Sequence, residues 1–161
     1  MATTEYRAYM QSPVGIVIIE ANDSFITSVR LTQDCRGQQN TPPLPPHLQQ
    51  CIEQINEYFA GKRQDFNLPV EQHGTEFQTK VWDKLREIPY GTTISYLELA
   101  KRLGNAKLTR AVGGANGKNK LWIIVPCHRV IGSDGSLTGY AGGVHCKQQL
   151  LEHEQNTLVN G

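Results

Sequence analysis

The chain has 161 residues and a formal net charge of +1, with 39% hydrophobic and 19% charged residues. That length allows one ordinary domain or two small ones, and the composition excludes a disordered chain. The near-neutral total hides an asymmetry. Residues 1–74 carry five Lys or Arg against eight Asp or Glu, a net −3, and residues 75–161 carry eleven against seven, a net +4. A polyanion would dock on the second half, although scatter of surface charge explains the same numbers.

The four cysteines, Cys35, Cys51, Cys127 and Cys146, form no C-x-x-C pair and have no suitably spaced histidines, so no metal site is expected. The Met1 end lacks the basic start and apolar core of a signal peptide. The apolar runs 14–19 and 121–125 are too short to span a bilayer. A reducing cytoplasm with free thiols is the expectation, which leaves any one cysteine available as a nucleophile.

In chain order, Gly15–Glu20 and Phe25–Leu31 predict an antiparallel hairpin around the turn Ala21-Asn-Asp-Ser24, extended by a strand near Tyr6–Met10. Thr41-Pro-Pro-Leu-Pro-Pro46 holds neither helix nor central strand. From His47 the spacing of Leu48, Cys51, Ile52, Ile55, Tyr58 and Phe59 is helical, with Gly61 as the stop. Glu71-Gln-His-Gly74 reads as a linker, which gives an N-terminal α/β domain over 1–74 and a second domain over 75–161.

In the second domain Thr75 caps a helix carrying Phe77, Val81, Trp82, Leu85 and Ile88 inward, and Pro89-Tyr-Gly91 ends it. Ser95 opens a helix over Tyr96–Leu103, with Glu98 placed as in a capping box. Gly104-Asn105 turns the chain into a further helix near Leu108–Ala115, the outline of a helix-turn-helix. Leu121–Val125 predicts a short buried strand, broken by Pro126.

Two features carry chemistry. Arg110-Ala-Val-Gly-Gly-Ala115 sets two glycines inside the recognition helix, at a cost of about 1 kcal/mol each relative to alanine. Arg110, Ala111, Gly113 and Gly114 then suit close apposition to a minor groove, with the arginine reaching into the base stack. Tight helix–helix packing explains the glycines equally well. The second is Pro126-Cys127-His128-Arg129-Val130. A nearby histidine favours the nucleophilic thiolate, but a bare Cys-His pair also describes a buried, inert cysteine.

These two motifs stand in one order with Ser95-Tyr96, Asn119, Tyr140-Ala-Gly-Gly143 and Leu150-Leu-Glu-His-Glu154. In that company the chain resembles the O6-alkylguanine-DNA alkyltransferases, in detail from about Thr75 to Glu154 and by element order alone before that. The resemblance implies that Cys127 accepts the alkyl group. His128 acts as base through a water, Glu154 orients it, and Asn119 holds the turn beside the nucleophile. It further implies that the target nucleotide is flipped out. Arg110 fills the gap, Tyr96 crowds the phosphate, and Tyr140 bonds the guanine and helps protonate it. The backbone at Cys127, Val130 and Ala141 reads the base edge. The partner implied is double-stranded DNA carrying alkylated guanine, and alkylated thymine is left open. The product is a thioether, so each molecule acts once, without a cofactor.

The same resemblance implies an α/β (α+β) architecture. The first domain would be ribonuclease-H-like and the second mostly helical and winged-helix-like. A monomer without membrane attachment is expected, cytoplasmic and nucleoid-associated if bacterial. Many relatives carry prolines where this chain has Lys120 and Trp122, and the bulk of Trp122 predicts a narrowed pocket. Two rivals remain: a helix-turn-helix regulator or lesion-binding protein without alkyl transfer, and a cysteine hydrolase using Cys127 and His128.

Overall fold

The computed structural model describes residues 5–33, 43–135 and 144–160. The chain divides into two compact units, Met1–Gln72 and His73–Gly161. No helix among the described residues is long and apolar enough to cross a membrane.

In the first unit β1 (Tyr6–Ser12), β2 (Gly15–Ala21) and β3 (Ile26–Thr32) form an antiparallel meander in the order β1-β2-β3. Its register pairs Tyr9 with Ile18 and Ile19 with Val29. Ile16, Val17, Ile18 and Ile19 are all buried, as a β-branched central strand should be. The β2–β3 turn forms because the Asn22 side-chain oxygen accepts from the amides of Ser24 and Phe25, at 2.9 and 2.7 Å. Helix α1 (Pro46–Phe59) starts one residue before the expected His47, since Pro46 occupies a first-turn position that needs no amide. It packs Leu48, Cys51, Ile55 and Tyr58 inward against the strands, and Gly61 stops it at φ +76°. Ile52 and Phe59, expected on the same stripe, are only half-buried. Val70 then bridges Ile26 in parallel.

The second unit is mostly helical: α2 (Glu76–Leu85), β4 (Ile94–Ser95), α3 (Tyr96–Arg102), α4 (Thr109–Gly117), β5 (Val130–Ile131) and α5 (Val144–Asn160). Thr75 and Gln78 form a reciprocal capping box at the start of α2. At α3 only half of such a box exists. Ser95 accepts the Glu98 amide at 2.9 Å, while the Glu98 side chain pairs with Arg102 instead. Gly104 turns the chain at φ +102°, and Asn105 caps the 3-10 turn 106–108 that leads into α4. The buried Trp82 indole donates to the Ala115 carbonyl at 3.0 Å, fastening α2 to α4. Strands β4 and β5 pair in parallel, Ile94 with Val130 and Ser95 with Ile131.

The expected strand over 121–125 is instead a tight turn. The amide of Ile124 bonds the Trp122 carbonyl and that of Val125 the Leu121 carbonyl, both at 2.8 Å. Ile123 sits at φ +73°, a conformation that a β-branched residue adopts only under strain. The apolar run marked burial and left the local geometry open.

Candidate active site

The turn ends in a bend that presents Cys127. Pro126 lies at φ −79°, ψ 65°, and the Cys127 amide donates to Val125 at 2.7 Å, an inverse γ-turn. Asn119 braces the loop from both ends, accepting the Leu121 amide at 3.1 Å and donating to Val125 at 3.0 Å. Trp122 folds back on the same segment, its indole N–H donating to the Asn119 carbonyl at 3.0 Å. Cys127, His128 and Arg129 form a 3-10 turn, and the Val130 amide closes it on the Cys127 carbonyl. Cys127 is 3% exposed.

Helix α5 packs across this turn and brings one face to it: Lys147, Leu150 and Glu154, spaced three and seven residues apart and all fully buried. Glu154 lies 2.6 Å from His128 Nε2. Arg129 grips the same carboxylate in two bonds, Nε to Oε1 at 2.9 Å and Nη2 to Oε2 at 3.0 Å. The Gly91 amide adds a bond at 3.1 Å, and Arg129 Nη1 donates to the Ile88 carbonyl at 2.8 Å. Burial pushes the Glu154 carboxyl up, but His128 and Arg129 outweigh it and hold the group far below the ordinary carboxylate range. Burial lowers His128; Glu154 opposes the shift, while Arg129 and Lys147 add to it. Among the described residues His128 Nδ1 has no hydrogen-bond partner.

Lys147 occupies the other end of the α5 face. Its ammonium is 3.4 Å from the Tyr96 hydroxyl and 5.5 Å from that ring's centre. Burial pushes it down to about 8, with Cys127 opposing. Burial and the neighbouring Cys127 charge raise Tyr96, and Asn116 partly offsets them. Asn116 is buried in α4 and donates to the Cys127 carbonyl at 3.4 Å.

Cys127, His128, Glu154, Asn119, Tyr96 and Val130 therefore converge on one centre, which among ionisable groups also holds Arg129 and Lys147. Arg110, Ala111 and Gly114 are exposed on α4, with Gly113 half-buried beside them. Tyr140 and Ala141 lie outside the described residues, as does Cys35. Sequence reasoning missed Lys147, Asn116 and the role of Arg129. The available signal was Lys147-x-x-Leu150-x-x-x-Glu154, a lysine on the apolar side of an unpredicted helix. Among the described residues no group of three or more His, Cys, Asp or Glu is placed to hold a metal ion.

The α4 glycines are not required by internal packing. Among the described residues a Cβ on Gly114 would meet nothing within 4 Å, and one on Gly113 would only touch the Tyr96 ring at 3.9 Å. Packing against the described residues therefore does not call for glycine at either position. Helix α4 keeps an open, smooth face at positions 110, 111 and 114.

A helix-turn-helix unit with a buried Cys, His, Arg and Glu centre behind it defines a class, a DNA-binding domain equipped for thiol chemistry. Residues 76–156 match the family model "6-O-methylguanine DNA methyltransferase, DNA binding domain". Residues 6–72 match "6-O-methylguanine DNA methyltransferase, ribonuclease-like domain". The chain belongs to the 6-O-methylguanine DNA methyltransferase family. It is 46% identical over 157 residues to the constitutive methylated-DNA–protein-cysteine methyltransferase of Bacillus subtilis, covering 93% of this chain and 95% of that protein. A crystal structure of the Mycobacterium tuberculosis O6-methylguanine methyltransferase superposes with a TM-score of 0.83 at 40% identity, covering 96% of this chain and 94% of that one. The structure of Mycobacterium tuberculosis OGT in complex with DNA gives a TM-score of 0.82 at 42% identity, covering 92% of each chain.

Proposed function

We propose that the chain repairs O6-alkylguanine in duplex DNA by moving the alkyl group onto Cys127 in one irreversible turnover. Family membership already makes it a DNA-binding methyltransferase of DNA repair; the lesion, the acceptor and the relay are the proposal. The observation that carries the reading is the 2.6 Å contact between buried His128 and Glu154 beside Cys127. In the reaction His128 removes the thiol proton through a water, and the thiolate Sγ attacks the alkyl carbon. The carbon–oxygen bond to guanine breaks as the carbon–sulfur bond forms, and the departing base takes a proton. Tyr140 is the family's donor for that proton. The lesion reaches the thiol by flipping, with Arg110 filling the gap in the stack. A monomer acting in the cytoplasm completes the reading.

The test is mass spectrometry after mixing the protein with a duplex holding one O6-methylguanine. One methyl group on the Cys127 peptide, saturating at one per protein and lost in Cys127→Ser, is the expected result. DNA binding without a mass change would favour a lesion-binding protein, and repeated turnover on an ester would favour the hydrolase.

Two further outcomes follow from the site. Gly114→Ala should stabilise the protein by about 1 kcal/mol through helix propensity, because its methyl meets none of the described residues. It should also weaken duplex binding several-fold by roughening the α4 face. Unchanged affinity by fluorescence anisotropy would remove α4 from the interface. Trp122, buried in the loop before Cys127, should make transfer from benzyl-guanine much slower than from methylguanine. Comparable single-turnover rates for the two adducts in DNA would refute the narrowed pocket.

A further inference from the structure

A carboxylate beside an imidazole favours the charged ring, whereas burial disfavours it. An imidazolium has no acceptor nitrogen and cannot take a thiol proton. The His128–Glu154 pair meets at 2.6 Å with both side chains fully buried; burial is the largest force against a charge on the ring, and the carboxylate opposes it. In this protein the carboxylate is not available to His128 alone. Arg129 occupies both of its oxygens, at 2.9 and 3.0 Å.

We infer that Arg129 is a positioning residue that neutralises Glu154, so that His128 stays uncharged with Nδ1 as its acceptor. The carboxylate, ionised by the guanidinium, accepts from Nε2, and this fixes the proton there. Nδ1, which has no partner among the described residues, is left to accept. The guanidinium is also fixed by its bond to the Ile88 carbonyl and lies over the Tyr90 ring, 5.4 Å from its centre. Among the described residues the charges acting on His128 are Glu154 and Lys147 from α5 and Arg129 from its own turn, so two cations face one carboxylate. A net positive surrounding opposes a third positive charge on the ring. Lys147 lies three residues before Leu150 on the same helix face and reinforces the effect from the Cys127 side.

The consequence for proton transfer rests on the relay reading above, but the charge state of His128 does not, and it is measurable without DNA. The experiment is a pH titration of the His128 ring by heteronuclear NMR in the full unreacted chain. His128→Asn assigns the signal. In the wild type the ring should be neutral at pH 7 and titrate below the ordinary histidine value of about 6.5. In Arg129→Gln the titration should move upward by about one unit or more, the usual effect of a close charge. In Arg129→Lys, which keeps the charge and loses the two-pronged grip, the ring should remain neutral at pH 7. A wild-type ring charged at pH 7 overturns the inference, whether or not Arg129→Gln folds. So does a folded Arg129→Gln with unchanged titration, or an Arg129→Lys ring charged at pH 7. If the wild type keeps a neutral His128 but transfers no methyl group, the relay reading fails while the role of Arg129 stands.

Discussion

Glu154→Ala is expected to lose about 3–5 kcal/mol of folding stability, the usual consequence of removing one partner from a buried ion pair. The carboxylate accepts from His128, from two nitrogens of Arg129 and from the Gly91 amide. Deleting it leaves the guanidinium of Arg129, a residue 5% exposed, without that counter-charge. Urea titration checks the number; a loss under about 1 kcal/mol would mean that water reaches Arg129 and replaces the carboxylate. The difference must also depend on pH. Glu154 is held far below its unfolded value, so its stabilisation is fully present above that value, about 4.3. It is lost as pH falls through the folded value. The gap between wild type and variant should therefore be widest near neutrality and close in strong acid.

Lys147→Met should do the opposite for stability. The folded-state value of Lys147 is about 8, below the unfolded value of about 10.4. Between these values the unfolded chain binds more protons, so the wild type gains stability as pH rises through this window. Below it, the folded protein carries the full penalty of a buried ammonium. Methionine fills the same space without the charge and should stabilise the protein by about 1–3 kcal/mol at pH 7. The gain should vanish near pH 10.5. The same substitution removes a cation beside Cys127, and a nearby cation favours the reactive thiolate. Transfer to O6-methylguanine should slow by at least about tenfold, corresponding to 1.4 kcal/mol in the barrier. A folded variant that is less stable at pH 7 would show that the buried ammonium carries no net penalty, and one that reacts at the wild-type rate would show that Lys147 takes no part in the chemistry. The expected pair of results makes this lysine a group retained for chemistry at the expense of the fold.

Much of the molecule was legible before its structure. The meander was visible because β-branched runs alternate with Asn-Asp turn chemistry. The helix starts were visible because Thr75 and Ser95 carry the side-chain acceptors that caps require. The helix-turn-helix was visible through Gly104-Asn105. The motif around Cys127 identified the family because its neighbours stood in the right order. Less legible were segments whose geometry is imposed from outside. The run 121–125 is apolar enough for a strand, yet Asn119 and Pro126 fold it into a turn that places Ile123 at positive φ. Helix α5 was not predicted, since its apolar residues are few and its inward face carries a lysine and a glutamate.

The sequence by itself determined the local elements, the family and the residue types available for thiol chemistry. Those follow from short-range rules of capping, turn formation and apolar spacing, together with a motif whose members lie close along the chain. Only the tertiary structure decided which charges meet. Glu154 lies 25 residues from Arg129 and 26 from His128, and Lys147 lies 51 residues from Tyr96. Nothing in the sequence pattern fixes such pairings, because electrostatic partners are chosen by distance and burial once helix α5 has packed across the turn. The same holds for the glycines of α4. Their sequence allowed either internal packing or an open face, and the lack of any described neighbour within 4 Å of a Cβ at Gly114 favours the open face.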